Sequence, residues 1–105
     1  MTQHLVQILL PTHMRDRTPI APEQFAQVRA ELTERFGGVT AYSRSPATGL
    51  WKRDDDEAIE RDQVIMVEVV VDVFDREWWA GYREQLETRF GQEEVHARVL
   101  AMEQI

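Results

Sequence analysis

Cysteine is absent from this chain of 105 residues. Its absence excludes disulfide bonds, thiolate-bound metal ions and cysteine catalysis, and it fits a reducing cytoplasm. No run approaches the roughly 18 consecutive apolar residues that a membrane-spanning helix needs. The opening stretch M-T-Q-H-L-V-Q-I-L-L-P has no basic segment before its short apolar run, so no signal peptide is predicted. We therefore expect a cytoplasmic protein that does not associate with membranes.

Positive charge is also scarce, because 12 lysines and arginines stand against 19 aspartates and glutamates, which gives a formal net charge of -7 at pH 7. An acidic chain without a basic cluster is a poor partner for a phosphate backbone, so no nucleic-acid binding is expected. The glycines are few and scattered, and no Walker, Rossmann, Gly-x-Ser-x-Gly or Ser-x-x-Lys pattern occurs. The sequence therefore indicates no particular reaction, and we expect no cofactor.

The chain does contain one long β-branched run, Val64–Phe74, which is typical of a central strand. Successive strand residues face opposite sides of a sheet, so the run divides by parity. The odd positions, all expected to face a layer of helices, are Ile65, Val67, Val69, Val71 and Val73. The even positions are Val64, Met66, Glu68, Val70, Asp72 and Phe74. A solvent-facing strand would alternate to polar residues, so we expect a partner subunit, a loop or a ligand to cover this second face.

Three further strands are predicted from alternating apolar residues, at Gln3–Leu10, Val39–Arg44 and Glu94–Met102. A loop of about a dozen residues with several prolines follows the first of them. The stretch between the second strand and the central one is predicted to hold a turn, a short strand at Leu50–Lys52 and a charged loop.

Two helices are predicted from apolar residues at helical spacing, and they repeat one pattern. The first begins at Pro22 and ends before Gly37, and the second is capped by Asp75 and ended by Gly91. The sequence T-E-R-F-G at the end of the first helix recurs 54 residues later as E-T-R-F-G. The chain is therefore a β-α-β unit used twice. With right-handed crossovers this predicts a single α+β domain, a ferredoxin-like β-α-β-β-α-β sandwich with antiparallel strand order 4-1-3-2 and both helices on one face.

The segment that follows the first helix resembles a family of small bacterial proteins to which no reaction is assigned. The residues that carry the resemblance are Phe36, Gly38, Val39, Thr40, Gly49, Trp51, Lys52 and Glu60. Lys52 stands where the family usually has arginine, and Val39 where it usually has leucine. At the level of the fold, the chain is also similar to the dimeric α+β barrel proteins, which pair their open sheet faces. These include cofactor-independent monooxygenases, isomerases and ligand-binding regulators, so this similarity implies no single function.

Glu68 is the leading candidate for chemistry, because it lies mid-strand among valines on the face away from the helices. Covering that face would desolvate its carboxylate, which suits a general base. His96 is the second candidate proton acceptor. The residues expected to bind a ligand beside them are Gln7, Tyr42, Arg44, Trp51 and Arg98. The alternative interpretation is structural, with the carboxylate paired to an arginine of a neighbouring strand or hydrated.

No metal site is predicted. The three histidines, His4, His13 and His96, have no spacing typical of metal ligands. The acidic run in Arg53–Glu57 lacks the alternation of a calcium-binding loop, so we expect it to be solvated.

Two functions follow from the apolar second face of the central strand. The first is self-association without catalysis, with a homodimer favoured, through that face or through an edge of the sheet. The second is a cofactor-independent enzyme or ligand-binding protein of the dimeric α+β barrel type, which holds a small molecule around Glu68. A closed polar pocket beside Glu68 would favour the second function, whereas dry continuous packing would favour the first.

Overall fold

The computed structural model describes residues 2–44 and 64–105, and only the backbone of residues 42–44. Within these ranges the strands are β1 (Gln3–Pro11), β2 (Thr40–Arg44), β3 (Val64–Val71) and β4 (His96–Met102), and the helices are α1 (Pro22–Phe36) and α2 (Arg76–Arg89). No helix in this part of the chain is long and apolar enough to cross a membrane. The short strand predicted at Leu50–Lys52 lies outside the described residues.

The strands form one antiparallel sheet in the order β2-β3-β1-β4. Read from the opposite edge this order is 4-1-3-2, so every strand has the neighbours that the sequence predicts. β1 lies inside the sheet and pairs with β3 on one side and β4 on the other. The α+β class, the four-stranded antiparallel sheet and the two helices are thus confirmed.

Both helices pack on one face of the sheet and bury a single core. Val67, Val69 and Val71 of β3 are almost completely buried on this face, as their parity predicts. Most of the remaining core comes from β1 and from the apolar stripes of the helices: Val6, Ile8, Leu10, Val28, Leu32, Trp79, Tyr82, Leu86 and Phe90. Ile20 and Val95 complete it from the connecting segments. The middle of the helix-facing side of the sheet is therefore occupied by core packing.

β3 ends at Val71, before the predicted end at Phe74. The last residue pair that joins it to β1 is His4 with Val71, and the chain then bends at residues 72–73, so parity no longer assigns faces there. Val73, predicted to face the helices, is 80% exposed. Phe74, predicted on the other face, packs against the core cluster instead. Both of these predictions were wrong, because they extended the strand beyond its last paired residue.

The boundaries of the helices agree with their sequence signals. Pro22 occupies the first turn of α1, where its missing N–H costs nothing, and Gly37 ends the helix in the left-handed conformation with φ of 87°. Asp75 caps α2, because its carboxylate accepts a hydrogen bond from the Trp78 N–H at 3.2 Å.

Glu31 joins the two helices through a small polar cluster. Its carboxylate accepts a hydrogen bond from the Tyr82 hydroxyl at 2.8 Å and contacts the Arg89 guanidinium at 2.6–3.1 Å. Burial of the Tyr82 hydroxyl is the main reason why its pKa is raised above the ordinary value of 10.0, and the hydrogen bond to Glu31 raises it further. The neutral phenol is therefore the form that the folded protein stabilises.

This pKa shift predicts the alkaline behaviour of the protein. The chain has two tyrosines, so the substitution Tyr42→Phe leaves Tyr82 as the only phenol. At about pH 11 an ordinary tyrosine is roughly nine-tenths ionised, but we expect the ultraviolet phenolate band of the folded variant to stay nearly absent. Because the unfolded chain ionises first, stability is unaffected below the ordinary pKa and falls as the pH rises above it. The same variant unfolded in urea is the control and should titrate near pH 10; identical titrations in both states would contradict the buried hydrogen bond.

Candidate functional site

Four of the residues singled out by the sequence lie on the side of the sheet opposite the helices, which we call the open face: Gln7, Glu68, His96 and Arg98. The side chains of this face on β1, β3 and β4 are Gln3, Leu5, Gln7, Leu9, Val64, Met66, Glu68, Val70, His96, Arg98, Leu100 and Met102. Exposure differs along this face. Met66 is 1% exposed, whereas Val70 and Leu100 are 40% and 45% exposed.

Three polar side chains form a hydrogen-bonded row across the middle of the open face. Gln7 of β1 is level with Glu68 of β3 and with Arg98 of β4. Its Nε2 donates to Glu68 Oε2 at 2.7 Å, and its Oε1 accepts from Arg98 Nε at 2.8 Å. We call these residues the polar row. It has a carboxylate at its β3 end and a guanidinium at its β4 end, joined by one amide.

A second row, one step along the strands, is entirely apolar. Leu5 is level with Val70 on one side and with Leu100 on the other. We call these residues the apolar row. The alternation of an apolar and a polar row follows from the two-residue period of each strand, since the side chains two positions apart share a face. Val70 and Leu100, two of the three residues of the apolar row, are among the large hydrophobic side chains that the described part of the protein leaves exposed.

A concavity of about 400 Å³ lies beside Glu68, at the end of the open face next to β2. Its lining combines the carboxylate with a hydroxyl, two glycines and apolar side chains: Leu5, Phe36, Gly37, Gly38, Val39, Thr40, Glu68 and Val70. A Cβ atom added at Gly37 or Gly38 would meet no other atom within 4 Å, so the space above them is empty. The concavity opens to solvent and is not the closed polar pocket that would favour an enzyme.

The structure brings together three of the predicted site residues, namely Glu68, Gln7 and Arg98. It does not bring His96 to Glu68. His96 lies in the next row, level with Leu9, and β1 separates the two residues. Its Nδ1 is 3.5 Å from Glu94 Oε1, and both side chains are largely exposed. Glu68 and His96 therefore do not form a joint catalytic centre in this arrangement.

On β2 the register differs from what the sequence suggested. Tyr42 is level with Met66 and Arg44 with Val64, so they lie one and two rows away from Glu68. Thr40 is the β2 residue level with Glu68, and sequence reasoning missed it. No local pattern could have identified it, because the register of two strands depends on the segment that joins them. The predicted ligand-binding residue Trp51 lies outside the described residues.

The three histidines are also apart from one another in the fold. Within residues 2–44 and 64–105, no group of three or more histidine or acidic side chains could hold a metal ion. His13 instead contacts its neighbour Thr12 at 2.8 Å, and the His4 ring lies 6.1 Å from that of Phe74.

Comparison of the chain with protein-family models, with curated proteins and with solved structures gives no match. The resemblances suggested by the sequence therefore stay predictions.

Proposed function

We propose that this protein is a self-associating, ferredoxin-like domain that forms a homodimer through the open face. The observation that carries the proposal is the apolar row, in which the exposed Val70 and Leu100 flank Leu5 on the open face. Large apolar side chains grouped on one surface are typical of an interaction site. Removing apolar surface from water favours association by about 25 cal/mol for each Å², and the entropy lost when two copies pair is subtracted from this gain. The βαββαβ order and the antiparallel strand order support the ferredoxin-like arrangement.

The polar row indicates how two copies pair. A closed dimer uses the same patch of both subunits, related by a two-fold axis. For two sheets packed face to face with aligned strands, that axis lies between the sheets and runs close to parallel or close to perpendicular to the strands. An axis perpendicular to the strands would place Glu68 over Glu68 and Arg98 over Arg98, so like charges would meet across the interface.

An axis parallel to β1, above Gln7, gives the opposite outcome. It exchanges the β3 and β4 sides, so Glu68 of each copy lies over Arg98 of the other. The apolar rows then coincide as well, with Val70 over Leu100. Opposite charges that face each other set the register of an interface, and like charges suppress the wrong one. The asymmetry of the polar row therefore favours the parallel axis.

Sedimentation velocity tests the dimer directly. At micromolar concentration the wild-type protein is expected to sediment with twice the mass of the chain. Leu100→Glu introduces a charge at the centre of the interface and should leave a folded monomer, because the side chain is already exposed in one subunit. Val73→Glu is the matched control, since Val73 is an exposed apolar residue in the bend after β3, off the sheet. A wild-type monomer, or an equal loss of the dimer in both variants, would refute the proposal.

A small-ligand site beside Glu68 is the second candidate function, and the concavity next to β2 supports it. Its volume of about 400 Å³ falls within the range of about 300–1,000 Å³ for small-molecule pockets. Glu68 and Thr40 are the polar side chains among its described lining, so it suits a molecule that presents hydrogen-bond donors. This geometry favours binding over catalysis, because His96 is not within reach of the carboxylate.

A further inference from the structure

A groove of about 420 Å³ lies on the helix-facing side of the sheet, between α2 and the edge strand β4. Its floor consists of core residues, among them Val6, Ile8 and Trp79. Its walls are built from small side chains, Ala80 on α2 and Ala97 on β4. The groove exists because these alanines leave unfilled the space that larger side chains would occupy. It lies on the other side of the sheet from the open face, and Arg98 of the edge strand β4, a member of the polar row, also lines it.

Two arginines of α2 flank the groove. Arg76, Ala80 and Arg83 follow one another at spacings of four and three residues, so they share one side of the helix. The two arginines are about 10 Å apart along the axis, at 1.5 Å per residue. None of the described residues that line the groove is acidic. In a chain with a net charge of -7, this is a local concentration of positive charge over an apolar floor.

The contacts of these arginines leave them available to an anion. The Arg76 guanidinium carbon lies 5.1 Å from the centre of the Phe74 ring, which positions the side chain without neutralising its charge. Arg83 reaches Glu87 only through Nε, at 3.9 Å. The same Glu87 oxygen, Oε2, already accepts a hydrogen bond from the Val95 N–H at 3.0 Å. The ion pair is therefore long and shared, and exposed pairs of this kind contribute little.

We propose that the groove between α2 and β4 binds a small amphipathic carboxylate, an acyl or aryl acid. The apolar part would lie on the floor between Ala80 and Ala97, and the carboxylate would accept hydrogen bonds from the arginines. The size of the groove suits such a molecule, and the negative charge of the carboxylate is opposite to the positive charge of the two flanking arginines. Arginine is well suited to this contact, because its planar guanidinium can bind both oxygens of a carboxylate.

The repeat of the two helices supplies matched control variants. At the offset of 54 residues, Ala80 corresponds to Ala26 and Arg83 to Arg29 on α1. Both α1 residues are exposed and line neither of the two concavities described above. Each substitution in the groove can therefore be compared with the same substitution at an equivalent helical position outside it.

The proposal can be tested with the dye anilinonaphthalene sulfonate, whose binding is measured by its fluorescence. Sodium octanoate and 1-octanol are then compared as competitors that displace the dye. Octanoate should displace the dye at roughly tenfold lower concentration than octanol, because only the acid bonds to the arginines. Ala80→Leu fills the groove and should weaken dye binding at least about tenfold, whereas Ala26→Leu should not. Arg83→Gln should reduce the affinity for octanoate about fivefold or more, with Arg29→Gln unchanged.

Three results would overturn the proposal: no dye binding by the wild-type protein, equal displacement by acid and alcohol, or equal effects in both members of either pair of variants. Thermal melting of each variant shows that it is folded. The substitutions in the groove are at Ala80 and Arg83 of α2, so they leave the side chains of the open face unchanged.

Discussion

Replacement of Glu68 by arginine is expected to raise the dissociation constant of the dimer about 30- to 1,000-fold, equivalent to ~2–4 kcal/mol. In the proposed arrangement the introduced arginine lies over Arg98 of the second copy, and symmetry repeats this contact, so one substitution creates two like-charge pairs. Arg98→Glu should have an effect of similar size, because it places two carboxylates together at each contact. Sedimentation equilibrium over a range of concentrations measures both.

The double variant Glu68→Arg with Arg98→Glu provides the decisive comparison. It exchanges the two charges, so opposite charges meet again across the interface and the dimer should recover. Gln7 can still join the row, because its amide group turns over to donate to one end and accept from the other. Glu34→Arg and Arg29→Glu are control reversals at exposed positions of α1. A dimer that tolerates both single reversals would refute the parallel axis while leaving dimerisation itself intact.

Phe90→Ala is expected to destabilise the fold by about 3–5 kcal/mol, whereas the same substitution at Phe36 should cost at least about 1 kcal/mol less. The two phenylalanines end the repeated R-F-G motif, but their surroundings differ. Phe90 is 0% exposed and meets the Phe25 ring edge-to-face at 5.4 Å. Phe36 is half-buried and stacks on Trp79. Urea unfolding at equilibrium measures both free energies.

Phe90→Leu provides a milder change if the alanine variant does not fold. Its destabilisation should again exceed that of Phe36→Leu, because a leucine at the buried site leaves a cavity that water cannot fill. Constant m values across the series would show that the unfolded state is unchanged. Equal losses at the two positions would mean that both rings are buried to the same extent in solution.

Much of the architecture could be predicted because it follows from local patterns. Alternation along β3 identified its helix-facing residues Val67, Val69 and Val71, and the repeat identified which strands are neighbours. Together these placed Gln7 and Arg98 beside Glu68, and the hydrogen bonds confirm that they meet. Such inferences succeed where the period of two residues and the hydrophobic pattern point to the same face.

The remaining features depend on contacts between distant segments, which no local pattern contains. The sequence cannot show that Phe90 is enclosed while Phe36 is not, since the letters around them are the same. The segment after β1 contacts the residues that follow Phe90: Met14 Sδ lies 2.7 Å from where a Cβ of Gly91 would be, and Gln92 donates a hydrogen bond to the His13 carbonyl at 3.3 Å. The groove beside α2 was missed for a similar reason, because a space depends on what two separate elements leave unfilled.

The position of β1 inside the sheet has a consequence for the order of folding. β1 is made first, but its neighbours are made late: His4 pairs with Val71, and Leu9 pairs with His96. During synthesis both edges of this apolar strand therefore stay unpaired until β3 and then β4 have emerged. Contacts between residues so far apart in sequence slow folding, and unpaired strand edges invite aggregation. Of the four described strands β4 is synthesised last, and its pairing covers the second edge of β1.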